Sequence, residues 1–191
     1  MSSPIYLNDH HWVGFINSYI TNESLIILVI IQVNGNHWVL GSINLDSKVI
    51  AIFDSISDTE LTEAFRKLYM IAKLAFRKLG RGCNVGEFSF YSANDNPRQV
   101  NGNDCGLFVC RCIKNIFTKN PSKFIIRTGE YRKELVETLD DDDVQIRDPP
   151  SNSRWNNPIS NDTCEQIIRN LERLKIPVDN MNFENLIKEF F

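Results

Sequence analysis

From Leu25 to Val33 the chain reads LIILVIIQV, apolar throughout except for Gln32. The run is about half the length a bilayer crossing needs and is rich in β-branched residues, so it predicts a buried strand. It ends in Asn34-Gly35-Asn36, a turn signal, and two more apolar runs follow, HWVLGSINL from His37 and VIAIFDS from Val49, separated by Asp46, Ser47 and Lys48. Three successive antiparallel strands are expected. From Thr59 to Leu79 the period changes, with Leu61, Phe65, Leu68, Ile71, Ala72, Ala75 and Leu79 recurring at three- and four-residue intervals, the stripe of an amphipathic helix. EFSFYS, beginning at Glu87, reads as a strand, and from Cys105 the positions Leu107, Phe108, Cys112, Ile113, Ile116 and Phe117 predict a core helix apolar on a broad face.

The flanks are patterned differently. Asn8 and Asp9 are good helix caps, and Trp12, Phe15, Ile16, Tyr19 and Ile20 follow at helical spacing, which predicts a short helix over residues 8–20. EYRKELVETL, residues 130–139, reads as helical and runs into the four aspartates Asp140 to Asp143, after which RDPPSNSRWNNP has the composition of an exposed linker. The expected organisation is a domain over residues 1–140, an acidic, Pro- and Asn-rich linker over 141–158 and a helical C-terminal extension over 159–191. In that extension NDTCEQIIRNLERLK and NFENLIKEFF each start with a capping residue and carry an apolar stripe, as helices do that pack back on the domain or on a partner.

Composition narrows the function classes. At 191 residues, 42% hydrophobic and 24% charged, the chain is of the globular kind and long enough for one sizeable core. A net charge of −3 with scattered Lys and Arg argues against nucleic acid, whose phosphates call for a concentrated basic surface. The five cysteines are odd in number and match no disulfide framework, and the N-terminus lacks a charged start followed by an apolar segment. A reducing setting in the cytoplasm or nucleus, a monomeric state and no membrane partner are therefore expected. Cys110 and Cys112, one residue apart, with His10 and His11 far away, do not make a zinc ligand set, and no metal is expected.

The stretch PRQVNGNDCGLFVCRC carries the chemistry. A thiol attacks only as thiolate, and the N-terminus of a helix, with its free backbone N–H groups, favours that anion. Cys105 stands where the helical pattern begins. Gly106 beside it lets a substrate backbone come close, Gln99 can offer an amide N–H to a developing oxyanion, and the Cys105 backbone N–H is the natural second donor. Cys110, Cys112 and Cys164 are read as packing cysteines, and packing is the bland reading of Cys105 too. The polar, glycine-bearing loop before Cys105 is what a packing residue would not need. Of the three histidines, His10 and His11 fall in the expected surface helix, which leaves His37 as the remaining candidate for a base, with a structural role as its bland reading. His37 begins one strand and Asp54 ends the next, so a short turn near Ser47 brings them to the same end, where the carboxylate can accept the second imidazole N–H.

Taken together, NHW, FDS and QVNGNDCG, in the order His, Asp, Gln, Cys, resemble the ubiquitin-like-protein-specific cysteine proteases, the SUMO or sentrin-specific protease group. The most specific part is Gln-x-Asn-x-x-Asp-Cys-Gly from Gln99 to Gly106, and YLND, from Tyr6 to Asp9, is similar to a fourth family element. The resemblance covers roughly residues 5–140. It implies an α+β, papain-like fold of the ubiquitin-like protease type, a central, mostly antiparallel sheet flanked by helices. It also implies His37 as base, Asp54 as its orienter, Cys105 as nucleophile and Gln99 as oxyanion donor, with no cofactor. For substrate it implies Trp38 as one wall of a tunnel for a Gly-Gly tail and Asp9 as a contact to a basic residue of the modifier. Tyr6 stands where the family usually carries a tryptophan facing the other wall, and no counterpart to the family is seen from Asp141 onward.

The implied reaction is hydrolysis after the C-terminal Gly-Gly of a ubiquitin-like modifier, to remove it from target lysines or to process its precursor. LNDHHWVGFINSY and RTGEYRKELVETL look more like the branch acting on the Rub/Nedd modifier, SUMO stands nearly level, and ubiquitin is a lesser third. Two alternatives come from other classes. One is an acyltransferase of the related bacterial effector type, and the other is a domain that holds a modifier without cutting it.

Overall fold

The computed structural model describes residues 16, 20, 26–56, 59–93, 96–118, 129–133 and 175–188. Three strands open it: β1 (Ile26–Val33), β2 (His37–Asn44) and β3 (Val49–Phe53). The β1–β2 turn works because Asn34 and Gly35 both take positive φ, 53° and 76°, the left-handed conformation that these two residue types tolerate best. In the β2–β3 turn the Asn44 side chain takes over the chain reversal, its Oδ1 accepting the N–H groups of Asp46 and Ser47 at 2.9 and 3.0 Å. Both pairings are antiparallel, as the alternation of runs and turns predicts.

After β3 comes the long helix α1 (Thr62–Lys78), a short 3₁₀ turn (Val85–Glu87) and β4 (Ser89–Ala93). A helical crossover returns the chain to the sheet running in the same direction, so β4 lies parallel to β3. Helix α2 (Cys105–Phe117) follows, and near the C-terminus come β5 (Val178–Met181) and the short helix α3 (Phe183–Lys188). The sheet order is β1-β2-β3-β4-β5, and β5 is parallel to β4. With two antiparallel and two parallel pairings, the α+β sheet is mixed, where the first three strands alone suggest a mostly antiparallel one.

The sheet is the middle of three layers. On one face Val39, Ile43, Ile50 and Ile52 meet Phe65, Leu68, Ile71 and Leu74 of α1. On the other, Leu40, Val49, Ala51 and Phe53 meet Phe108, Val109, Cys112 and Ile116 of α2, together with Leu186 of α3. β3 is buried at every position because both helices cover it. Ile16 and Ile20, the two described residues of the expected N-terminal helix, are buried with the α1 layer, and the Ile20 N–H donates to the Ile16 carbonyl at 3.2 Å. The rest of that helix, including Asp9, His10 and His11, lies outside the described residues, as do Tyr6, the linker 141–158 and Cys164.

Gly41 of β2 is where α1 comes closest. A Cβ there would stand 2.5 and 2.8 Å from the Leu68 methyl carbons and 3.0 Å from a carbon of Ile31, and Leu68 has no exposed surface into which to move. Gly41→Ala is accordingly expected to cost about 1–3 kcal/mol through overpacking, read as a lower urea midpoint at unchanged slope.

Candidate active site

The β2–β3 register decides where the first two site residues fall. Leu40 faces Phe53, so continuing the ladder by one step sets Val39 opposite Asp54 and His37 two residues further along the same strand. Such a diagonal pair is within reach of long side chains. His37 Nε2 and Asp54 Oδ1 are 2.6 Å apart, with His37 6% and Asp54 4% exposed, so their bond is shielded from water. The same Oδ1 accepts the Ile56 N–H at 2.9 Å, and Asn96 Nδ2 and Arg98 Nη1 donate to the Asp54 carbonyl at 2.6 and 3.4 Å. A carboxylate only accepts, so Nε2 is the protonated nitrogen and Nδ1 carries the lone pair that can take a proton.

Cys105 is the first residue of α2, buried to 5% exposure, with its neighbour Asp104 at the N-cap. Asp104 makes no capping bond through its side chain. Its oxygens instead meet Arg132 Nη2 at 2.6 Å and Asn101 Nδ2 at 2.7 Å, tying the loop before the helix and the helical residues 129–133 to the position next to the thiol. Tyr131 adds a second tie by lying against the Arg111 guanidinium, 5.4 Å from its ring centre. The spacing of Asp104 from Arg132 hides this buttress in the sequence, and only the carboxylate next to Cys105 hinted at it.

Among the described residues, no hydrogen bond joins the Cys105 thiol to His37. In unliganded enzymes such contacts are often long and tighten when substrate binds. Gln99 lies on the loop between β4 and α2, its backbone N–H donating to the Ser55 carbonyl at 3.0 Å, its Oε1 accepting from Ser55 Oγ at 2.7 Å and its Nε2 donating to the Asn101 carbonyl at 2.5 Å. An amide nitrogen carries two hydrogens, so one remains for an oxyanion. Ser55, Gln99 and Asn101 line an open groove of about 350 Å³ together with Ile56, Arg98, Val100 and Gly102. Trp38, next to His37, is 40% exposed.

The remaining described cysteines separate by environment. Cys112 is buried in the α2 layer, and burial raises its thiol pKa far above the usual range. Desolvation also raises Cys83 and Cys110. Cys110 corrects the packing assignment, since it is exposed. The buried stripe of α2 runs through Cys105, Phe108, Val109, Cys112 and Ile116, and position 110 falls off it.

A Cβ on Gly106 would meet no other part of the described chain within 4 Å. Packing therefore does not require glycine beside the thiol, and room for a substrate backbone is the role the sequence leads one to expect of it. Gly106→Ala is expected to stabilise the helix by up to about 1 kcal/mol while cutting kcat/KM by at least about tenfold, a divergence that thermal melts and rate assays on one preparation resolve.

The Ulp1 protease family, C-terminal catalytic domain, matches residues 15–147, a span that holds His37, Asp54, Gln99 and Cys105. The chain belongs to that family. Ubiquitin-like-specific protease 1 of Saccharomyces cerevisiae is 35% identical over 80 residues, which are 42% of this chain and 13% of that protein. A sentrin-specific protease of Caenorhabditis elegans is 33% identical over 114 residues, 58% of this chain and 16% of its own length. The chain thus aligns with only a small part of each of these relatives. Among solved structures, SUMO protease Ulp1 with its catalytic cysteine oxidised to a sulfinic acid shares the fold with a TM-score of 0.54 at 25% identity, over 68% of this chain and 58% of that one.

Proposed function

We propose that this family member is a cysteine peptidase that cleaves after the C-terminal Gly-Gly of a ubiquitin-like modifier. The observation that carries the reading is the buried 2.6 Å bond between His37 and Asp54 at the same sheet end, in a chain whose family match also contains a cysteine at a helix start. Asp54 holds the imidazole so that Nδ1 accepts the thiol proton. Cys105 Sγ then attacks the carbonyl carbon of the last glycine, and the oxyanion is met by the free N–H of Gln99 and the backbone N–H of Cys105. The C–N bond breaks as the imidazolium protonates the leaving amine, leaving a thioester. Water, deprotonated by His37, hydrolyses it and restores the thiol.

The solved SUMO protease Ulp1 that shares the fold favours a SUMO-type modifier, and the likeness of the flanking segments to the Rub/Nedd branch keeps that modifier second. The acyltransferase and non-catalytic alternatives draw no support from the family match. The deciding experiment is release of a fluorophore from the C-termini of SUMO, a Rub/Nedd-type modifier and ubiquitin, side by side, by reduced and folded protein. Release that Cys105→Ala removes, strongest for SUMO, is the expected result. Release strongest for another modifier would move the specificity, and no release from any would overturn the peptidase reading.

A further inference from the structure

Asp54 and Ser55 are consecutive, and each holds a different member of the candidate catalytic set. Asp54 holds the imidazole, and Ser55 holds Gln99 twice, through its carbonyl and through its hydroxyl. The amide orientation of Gln99 follows from chemistry. The Asn101 carbonyl can only accept, so the amide atom 2.5 Å from it is the nitrogen, and the atom facing Ser55 is the oxygen. Ser55 Oγ must therefore donate, and at 3% exposure it does so away from solvent. With Oε1 and one N–H taken, the Gln99 amide has a single uncommitted donor beside the open groove.

Resting on the peptidase reading, we infer that Ser55 is a positioning residue for oxyanion stabilisation: its hydroxyl locks the Gln99 amide so that an N–H, and not Oε1, faces the developing negative charge. An amide rotated by half a turn would present oxygen to an oxyanion, and repulsion would replace stabilisation. Through the single dipeptide Asp54-Ser55, the segment that directly follows β3 thereby sets both the tautomer of the base and the polarity of the oxyanion site. The Asn101 carbonyl keeps part of the bias when the hydroxyl is lost, so the effect is smaller than that of deleting Gln99 itself.

The test is a double-mutant cycle on kcat and KM with the fluorogenic modifier that the wild type cleaves best, using wild type, Ser55→Ala, Gln99→Ala and the double variant. Ser55→Ala is expected to lower kcat about tenfold with KM unchanged, and Gln99→Ala by about 10²-fold or more, the double variant being no slower than Gln99→Ala alone. The side-chain ¹H–¹⁵N signals of Gln99, assigned by their loss in Gln99→Ala, should shift or broaden in Ser55→Ala while the rest of the amide spectrum stays in place. Full kcat in Ser55→Ala, an equal loss in the Gln99→Ala background, or unmoved Gln99 signals would overturn the inference. A wild type without Cys105-dependent release would overturn the peptidase reading and this inference together, and that outcome is read before any Ser55 variant enters.

Discussion

Replacing Cys105 by alanine is expected to lower modifier cleavage by at least about 10⁴-fold while leaving modifier affinity unchanged. The rate falls because no other described cysteine can substitute. Cys112 is buried and its thiol held far from ionisation, and Cys83 and Cys110 are also pushed toward the neutral thiol. Affinity survives because the change removes one sulfur from a side chain only 5% exposed, at the first position of a helix where alanine is well tolerated. The ties that shape the surroundings, Asp104 to Arg132 and Asn101, and Ser55 to Gln99, involve no atom of the thiol. The check is a pair of measurements on one preparation: turnover of the fluorogenic modifier and a binding isotherm for the same modifier with a free C-terminus. Matching losses in both would point to a structural cysteine and defeat the nucleophile assignment. Cys110 supplies the control for chemical labelling, since its exposure lets alkylating reagents reach it without consequence for rate.

How far the sequence reveals this arrangement depends on whether a contact is local. The His37–Asp54 approach is legible because one short turn and a period of two place both residues, and the observed Leu40–Phe53 register carries that count through. α1 and α2 are legible because their stripes are long and regular. β5 is not: Val178-Asp179-Asn180-Met181 has neither alternation nor strand-forming composition, and its residues are exposed or half-buried, so backbone pairing with β4 is what holds it. The clamp of Asn96 and Arg98 on the Asp54 carbonyl and the Arg132 contact to Asp104 are likewise invisible, each being a tertiary hydrogen bond between residues 28 to 44 apart. The parallel placement of β4 follows from the α1 crossover, which the helix stripe does show, and its consequence for strand direction was available from the connection length. Cys110 was legible as well, because the spacing of the α2 stripe already excludes it.

Asp54→Ala is expected to lower kcat by about 10³–10⁴-fold, and Asp54→Asn by at least about tenfold less than alanine does. The difference rests on Ile56. Its N–H donates at 2.9 Å to the same Oδ1 that receives His37 Nε2, so an asparagine in that place has two N–H groups converging on one position of its side chain. Only the amide oxygen can satisfy both, and an amide turned the other way would set an NH₂ against two donors. The Ile56 N–H thereby keeps the asparagine oxygen toward Nε2, the imidazole keeps its proton there, and Nδ1 stays free to act as base. What asparagine loses is the negative charge that stabilises the imidazolium, together with a fit at Oδ2, a buried oxygen with no partner among the described residues, where the new NH₂ would sit unsatisfied. Alanine loses orientation and charge at once. In both variants KM should hold, because Asp54 is buried behind His37 and offers the substrate no surface of its own. Steady-state kinetics of the two variants beside wild type decide it: equal losses would mean that charge alone matters and that the Ile56 contact does not steer the side chain, and a loss under about tenfold for alanine would remove Asp54 from the catalytic set.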